Sequence, residues 1–131
     1  SEELISLIES DDRINFFGWV STERLEKLLI SCDVYLQPGT QSVTMQAALC
    51  AGRAVAIDNV KSHKPYVNGN GWLLDSSKGL DDVFKEISKD GDVVHEMGEL
   101  SMTYAKEILD YKKLANQVLI RVGSDAENYT N

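Results

Sequence analysis

The chain reads as an α/β protein, a parallel sheet with helices on both faces. Three observations carry this. Short apolar runs alternate with stretches of helical periodicity, the pattern of strands joined by helical crossovers. Residues 33–57 hold a complete unit of that kind: a strand over Asp33–Leu36, a turn, a helix over 42–51, a Gly52 stop and a strand over Ala54–Ile57. Within that helix Ala47, Ala48, Ala51 and Gly52 line up small residues, which lets a helix lie close on a sheet.

The elements follow in order. Residues 2–9 place Leu4, Ile5 and Ile8 on one face of a short helix. Asp11 and Asp12 make a turn, and Ile14–Phe17 reads as a buried strand stopped at Gly18. Ser21 is a candidate N-cap with Glu23 in the first turn, ahead of Leu25, Leu28, Leu29 and Cys32 at helical spacing. Residues 58–71 are irregular, with Pro65, Gly69 and Gly71, and Trp72–Leu74 is a last short strand. Leu80, Val83, Phe84 and Ile87 mark one helix face. Val93, Met97, Leu100, Tyr104 and Ile108 mark a second, and Tyr111, Leu114, Ala115, Val118 and Val122 a third. The domain is expected to run over residues 1–123, with 124–131 a polar tail. The apolar run that opens such a sheet is not seen ahead of the first helix, so the first strand is expected to lie before Ser1, leaving a sheet edge to be covered.

Composition narrows the function. The 131 residues are 43% hydrophobic and 26% charged, an ordinary globular balance for one domain. A formal net charge of −8 argues against nucleic acid as a partner, which requires a basic face. It leaves room for a small anion held by backbone N–H groups. Cys32 and Cys50 lie in apolar stretches and read as buried thiols rather than a disulfide. Two histidines with no Cys/His spacing pattern make no zinc site. No run of 18 apolar residues is present to span a bilayer.

The chemistry concentrates in the turn Pro38-Gly39-Thr40-Gln41-Ser42, where a strand hands over to a helix. Ligands of open α/β sheets bind there, outside the carboxyl ends of the strands, and the unpaired N–H groups of the helix start attract phosphate. Thr40, Gln41, Ser42 and Thr44 crowd hydroxyl and amide groups into this loop, more than capping requires. Gly39 lets the backbone approach a ligand, or simply makes the turn. Gly18, between Phe17 and Trp19, could present backbone groups to a flat base, or serve as a turn with Trp19 packed on the core. His63 reads as exposed surface, with a ligand contact as the alternative. Asn68–Gly71 is a turn by composition. There is no paired carboxylate, nucleophile elbow or glycine-rich phosphate fingerprint.

Taken together, INFFGWVSTERLEKLLISCDVYLQPGT, ALCAGRAVAID, VNGNGWLLD, GLDDVFKEI, MGELSMTYA and LDYKKLA resemble the carboxyl-terminal, donor-binding domain of GT-B fold glycosyltransferases. The similarity is to the retaining family that builds bacterial polysaccharide and lipopolysaccharide, and it covers roughly residues 2–122. It implies a Rossmann-like fold and transfer of a sugar from a nucleotide-sugar, UDP-linked, to a glycan or lipid-linked acceptor. That acceptor would be held by an amino-terminal domain outside this sequence. It implies that Phe17, Gly18 and Trp19 meet the base, that Gly39, Thr40, Gln41, Ser42, Val43 and Thr44 hold the diphosphate, and that His63 lies near the donor. It implies no metal or other cofactor and a cytoplasmic enzyme, with peripheral attachment at the inner face of the membrane.

The chain departs from the family in one respect. The family carries a pair of glutamates across this loop and helix; Ala47 stands where the second falls, and no acid lies between Asp33 and Asp58. Gln46 is the neighbouring candidate for a ribose contact. Two other readings stay open, a sugar-nucleotide 2-epimerase on the same fold and a degenerate domain that binds a partner protein.

Overall fold

The structure, a computed structural model, describes residues 1–39 and 43–109. Its elements are α1 (Glu2–Glu9), α2 (Thr22–Ser31), β1 (Val34–Gln37), α3 (Val43–Cys50), β2 (Ala54–Asp58), a single 3-10 turn at Lys64–Tyr66, β3 (Gly71–Leu74), α4 (Leu80–Lys89) and α5 (Asp92–Ile108). The three strands form one open, wholly parallel sheet in the order β1-β2-β3. Val34 pairs with Ala54 at one end, and Gln37 with Ile57 at the other. This is the α/β, Rossmann-like architecture expected from the alternation of apolar runs and helices.

The middle strand explains the layering. Ala54, Val55, Ala56 and Ile57 are all buried, as a strand covered on both faces must be. Val55 and Ile57 face a core built by Leu29 of α2, Met45, Ala48 and Leu49 of α3, and Ala105 of α5. Ala54 and Ala56 face the other core, with Trp72 of β3 and Val83 of α4. Side-chain alternation along the strand thus builds one core on each face, and α5 reaches both, through Ala105 on the first and Val94 and Met97 on the second.

Local signals set the helix ends. Ser21 caps α2, its hydroxyl accepting from the Arg24 N–H at 3.2 Å. At the far end of α3, Arg53 N–H donates to Ala48 O at 3.1 Å and Gly52 N–H to Leu49 O at 3.0 Å, with Gly52 at φ +72°. That left-handed stop is the one glycine tolerates best.

The structure corrects four expectations about the fold. Ile14–Phe17 is not a strand; it makes no sheet pairing among the described residues, and Phe16 is 76% exposed. Strand propensity needs a neighbouring ladder to be realised, and among the described residues the edge strand β1 pairs only with β2. Trp19 is likewise not packed on the core, being fully exposed at 103%. The buried stripe of α5 is not the large-residue one. Gly98, Ser101 and Ala105 are its buried residues, because the helix approaches its neighbours closely; of the expected stripe Val93, Met97 and Tyr104 are half-buried, while Leu100 and Ile108 stay exposed. Cys32 and Cys50 are half-buried rather than buried; the Cys32 thiol donates to Leu29 O at 3.3 Å, and burial pushes its pKa up. The expected helix over 111–122 and the polar tail lie outside the described residues.

Candidate functional site

The carboxyl ends of the three strands bring Gln37, Asp58 and Leu74 to one rim of the sheet. The chain leaves β1 through Pro38 into Gly39, which adopts φ +97° and is exposed. A methyl group at Gly39 would meet nothing within 4 Å, so open space, and not crowding, surrounds this turn. The left-handed backbone there is nevertheless strained for any residue with a Cβ.

Asp58 closes the turn from the neighbouring strand. Its Oδ2 accepts the Gly39 N–H at 2.7 Å, tying the end of β2 to the exit of β1. The connection from β2 to β3 then folds back against the same strand end. His63 Nδ1 lies 2.7 Å from the Asp58 carbonyl oxygen. A carbonyl only accepts, so Nδ1 carries a proton. The His63 side chain is fully buried and its Nε2 has no partner. The reading of His63 as exposed surface is therefore corrected; the spacing of an irregular segment carried no signal of its burial.

Further along this connection Asn70 is fully buried. Its amide nitrogen donates to Tyr66 O at 3.0 Å and Ser101 Oγ at 3.2 Å, and its oxygen accepts the Asn68 N–H at 2.7 Å. Composition marked this stretch as a turn. In the fold it is the clasp that anchors residues 59–70 to α5 and so holds His63 against β2. At the rim, Asn59 donates to Asp75 Oδ2 at 2.7 Å, while the other Asp75 oxygen accepts from Ser77 and Lys78. These donors hold the Asp75 carboxyl well below the usual carboxylate range, the Ser77 hydroxyl foremost.

The sequence-derived site residues divide. Gly39 and His63 are brought together through Asp58. Val43 begins α3 and is exposed; Thr44 and Gln46 are half-buried on the same helix. Thr40, Gln41 and Ser42 lie outside the described residues. Among the described residues, Phe17, Gly18 and Trp19 share no hydrogen bond with this group. Gly18 turns the chain at φ +61°, and the Arg24 guanidinium sits 5.4 Å from the centre of the Phe17 ring. Asp58 is the participant the sequence reading passed over. Its signal was present: an acid directly after the apolar run of the strand beside the turn.

A separate open groove of about 760 Å³ lies at the other end of the sheet, lined by Val34, Arg53, Phe84, Ile87 and Val94 among others. Leu36, on the same strand as Val34, is exposed. Among the described residues no group of three His, Cys, Asp or Glu side chains is placed to hold a metal ion, and no helix is long and apolar enough to cross a membrane. Comparison with protein-family models, with curated proteins and with solved structures found no match.

Proposed function

We propose that this chain is the donor-binding half of a glycosyltransferase that moves a sugar from a UDP-linked donor to a glycan or lipid-linked acceptor in bacterial surface polysaccharide synthesis. The observation that carries the proposal is the β1–turn–α3–β2 unit. Its exposed, left-handed Gly39 stands at the carboxyl end of one parallel strand, fastened to Asp58 at the end of the next. Crevices of this kind are where open α/β sheets take their ligands.

The chemistry asked of the site is stabilisation of a departing diphosphate. Backbone N–H groups at the start of α3 and the Thr44 hydroxyl act on the charge that develops on the leaving oxygen, and the hydroxyls of Thr40 and Ser42 belong to the same diphosphate group in this proposal. Phe17, Gly18 and Trp19 take the base and Gln46 a ribose contact in this proposal. The acceptor is held by a further domain. The site works in the cytoplasm, with no metal or other cofactor, and peripheral attachment to the inner membrane face is part of the same proposal.

The test is an NMR titration of the isotopically labelled chain with UDP, GDP and inorganic pyrophosphate, alongside Ser42→Ala and Thr44→Ala. Shifts at Gly18 and at residues 39–44 with UDP, weaker with GDP and reduced in both variants, are expected. A folded chain that responds to none of the three ligands would remove the proposal.

A further inference from the structure

We infer that Asp58 is a specificity residue that reads ligand hydroxyls at the Gly39 turn, favouring a hydroxyl-bearing diphosphate such as a nucleotide-sugar over a bare one. The inference rests on the reading of that turn as a diphosphate site.

A carboxylate only accepts hydrogen bonds and offers about four lone-pair positions. The Gly39 N–H uses one, on Oδ2, and fixes the group at the mouth of the turn. Among the described residues no Lys, Arg or His lies within ion-pair distance of Asp58, so its charge is not neutralised locally. The side chain is half-buried at the end of β2, where partial removal of water strengthens a charge-assisted hydrogen bond.

The backbone carbonyl of Asp58 is already engaged by His63 Nδ1, so the side-chain carboxylate is the part of Asp58 left to a ligand. The rim at this point therefore presents a carboxylate with no neighbouring cation among the described residues, on a chain of net charge −8. A bare diphosphate brings only more acceptors and more negative charge. A sugar or ribose brings hydroxyl donors, and each one placed on the Asp58 carboxylate offsets the repulsion. Asp58, at the end of β2, is the carboxylate seen beside this turn; Val43–Cys50 contains no acid.

The competing explanation is that Asp58 only latches the turn. Asp58→Asn separates the two, because its side-chain oxygen still accepts the Gly39 N–H while the charge and one acceptor are lost. Dissociation constants are measured by isothermal calorimetry for UDP-glucose and for inorganic pyrophosphate, on the wild-type chain and on Asp58→Asn. Loss of a hydrogen bond to a charged group corresponds to about 10-fold in affinity or more. The preference for UDP-glucose over pyrophosphate should therefore fall about 10-fold in the variant. Equal changes in both affinities, in either direction, would overturn the inference and leave the diphosphate site standing. Binding of neither ligand to the wild type would overturn both. Asp58→Ala, which also releases Gly39, should weaken both ligands further than Asp58→Asn does.

Discussion

Gly98 of α5 rests directly on Gly52, so that a methyl group at Gly98 would stand 2.4 Å from the Gly52 carbonyl oxygen. Two glycines from distant parts of the sequence thus set how closely the longest described helix seats over the end of α3. The contact also explains why the buried stripe of α5 is made of Gly98, Ser101 and Ala105. Gly98→Ala forces backbone against backbone and should lower stability by about 2 kcal/mol, within the range of overpacked cores. Gly91→Ala, where a methyl group meets nothing within 4 Å, should change it by less than about 1 kcal/mol. Urea unfolding of the two variants beside the wild type reads both.

Asn70 and Ser101 form the clasp between the β2–β3 connection and α5. Asn70→Ala leaves the Asn68 N–H and the Tyr66 carbonyl without their buried partner and should cost about 3 kcal/mol. Ser101→Ala removes one acceptor and should cost about 1 kcal/mol. In a double-mutant cycle the two losses should be less than additive, since they share the 3.2 Å bond. Additive losses would mean that Ser101 does not hold Asn70.

Acid stability should depend on Asp75. Its folded-state pKa lies below the ordinary value of 3.8, because the carboxylate accepts from Ser77, Asn59 and Lys78. A depressed folded pKa means that the native state gives up this proton more readily than the unfolded chain. The stabilisation is therefore complete above about pH 4 and drains away as pH falls toward the folded value. Asp75→Asn should lower the melting temperature at neutral pH, and the gap to wild type should close on acidification below pH 4. A gap independent of pH would assign Asp75 no charge-linked role.

Trp19 and Trp72 should report separately. Trp72 is buried in β3 with its indole N–H donated to Glu86 Oε2 at 2.7 Å, whereas Trp19 lies wholly in solvent. Trp19→Ala should remove the red-shifted, acrylamide-quenched part of the fluorescence and change stability by less than about 0.5 kcal/mol. Trp72→Phe should remove the blue-shifted part and destabilise by more than that, since it leaves Glu86 without one of its donors. A ligand that covers the Phe17–Trp19 turn would shift the Trp19 emission alone.

The legible part of this molecule was the part with a local cause. Leu25, Leu28 and Leu29 at helical spacing after Ser21, the apolar run Ala54–Ile57, and the Gly52 stop each carry their structure within a few residues, and each forms as its pattern indicates. The turn at Gly39 was legible for the same reason, since Pro-Gly between a strand and a helix has few other uses. Asp58 was less so, because an acid after a strand gains its meaning only from what stands beside it.

The sequence by itself determined the α/β class, the run of helices and strands and the position of the Pro38–Gly39 turn, because dihedral preference and side-chain periodicity act between near neighbours. Tertiary structure decided the rest. Ile14–Phe17 has a strand's composition and no strand, because a ladder requires a second chain segment alongside. His63 and Asn70 look like surface residues and are fully enclosed, because the connection from β2 folds back under α5. Gly98 outweighs the larger side chains of its own helix, because the distance between two backbones, and not hydrophobicity, chose which face of α5 turns inward.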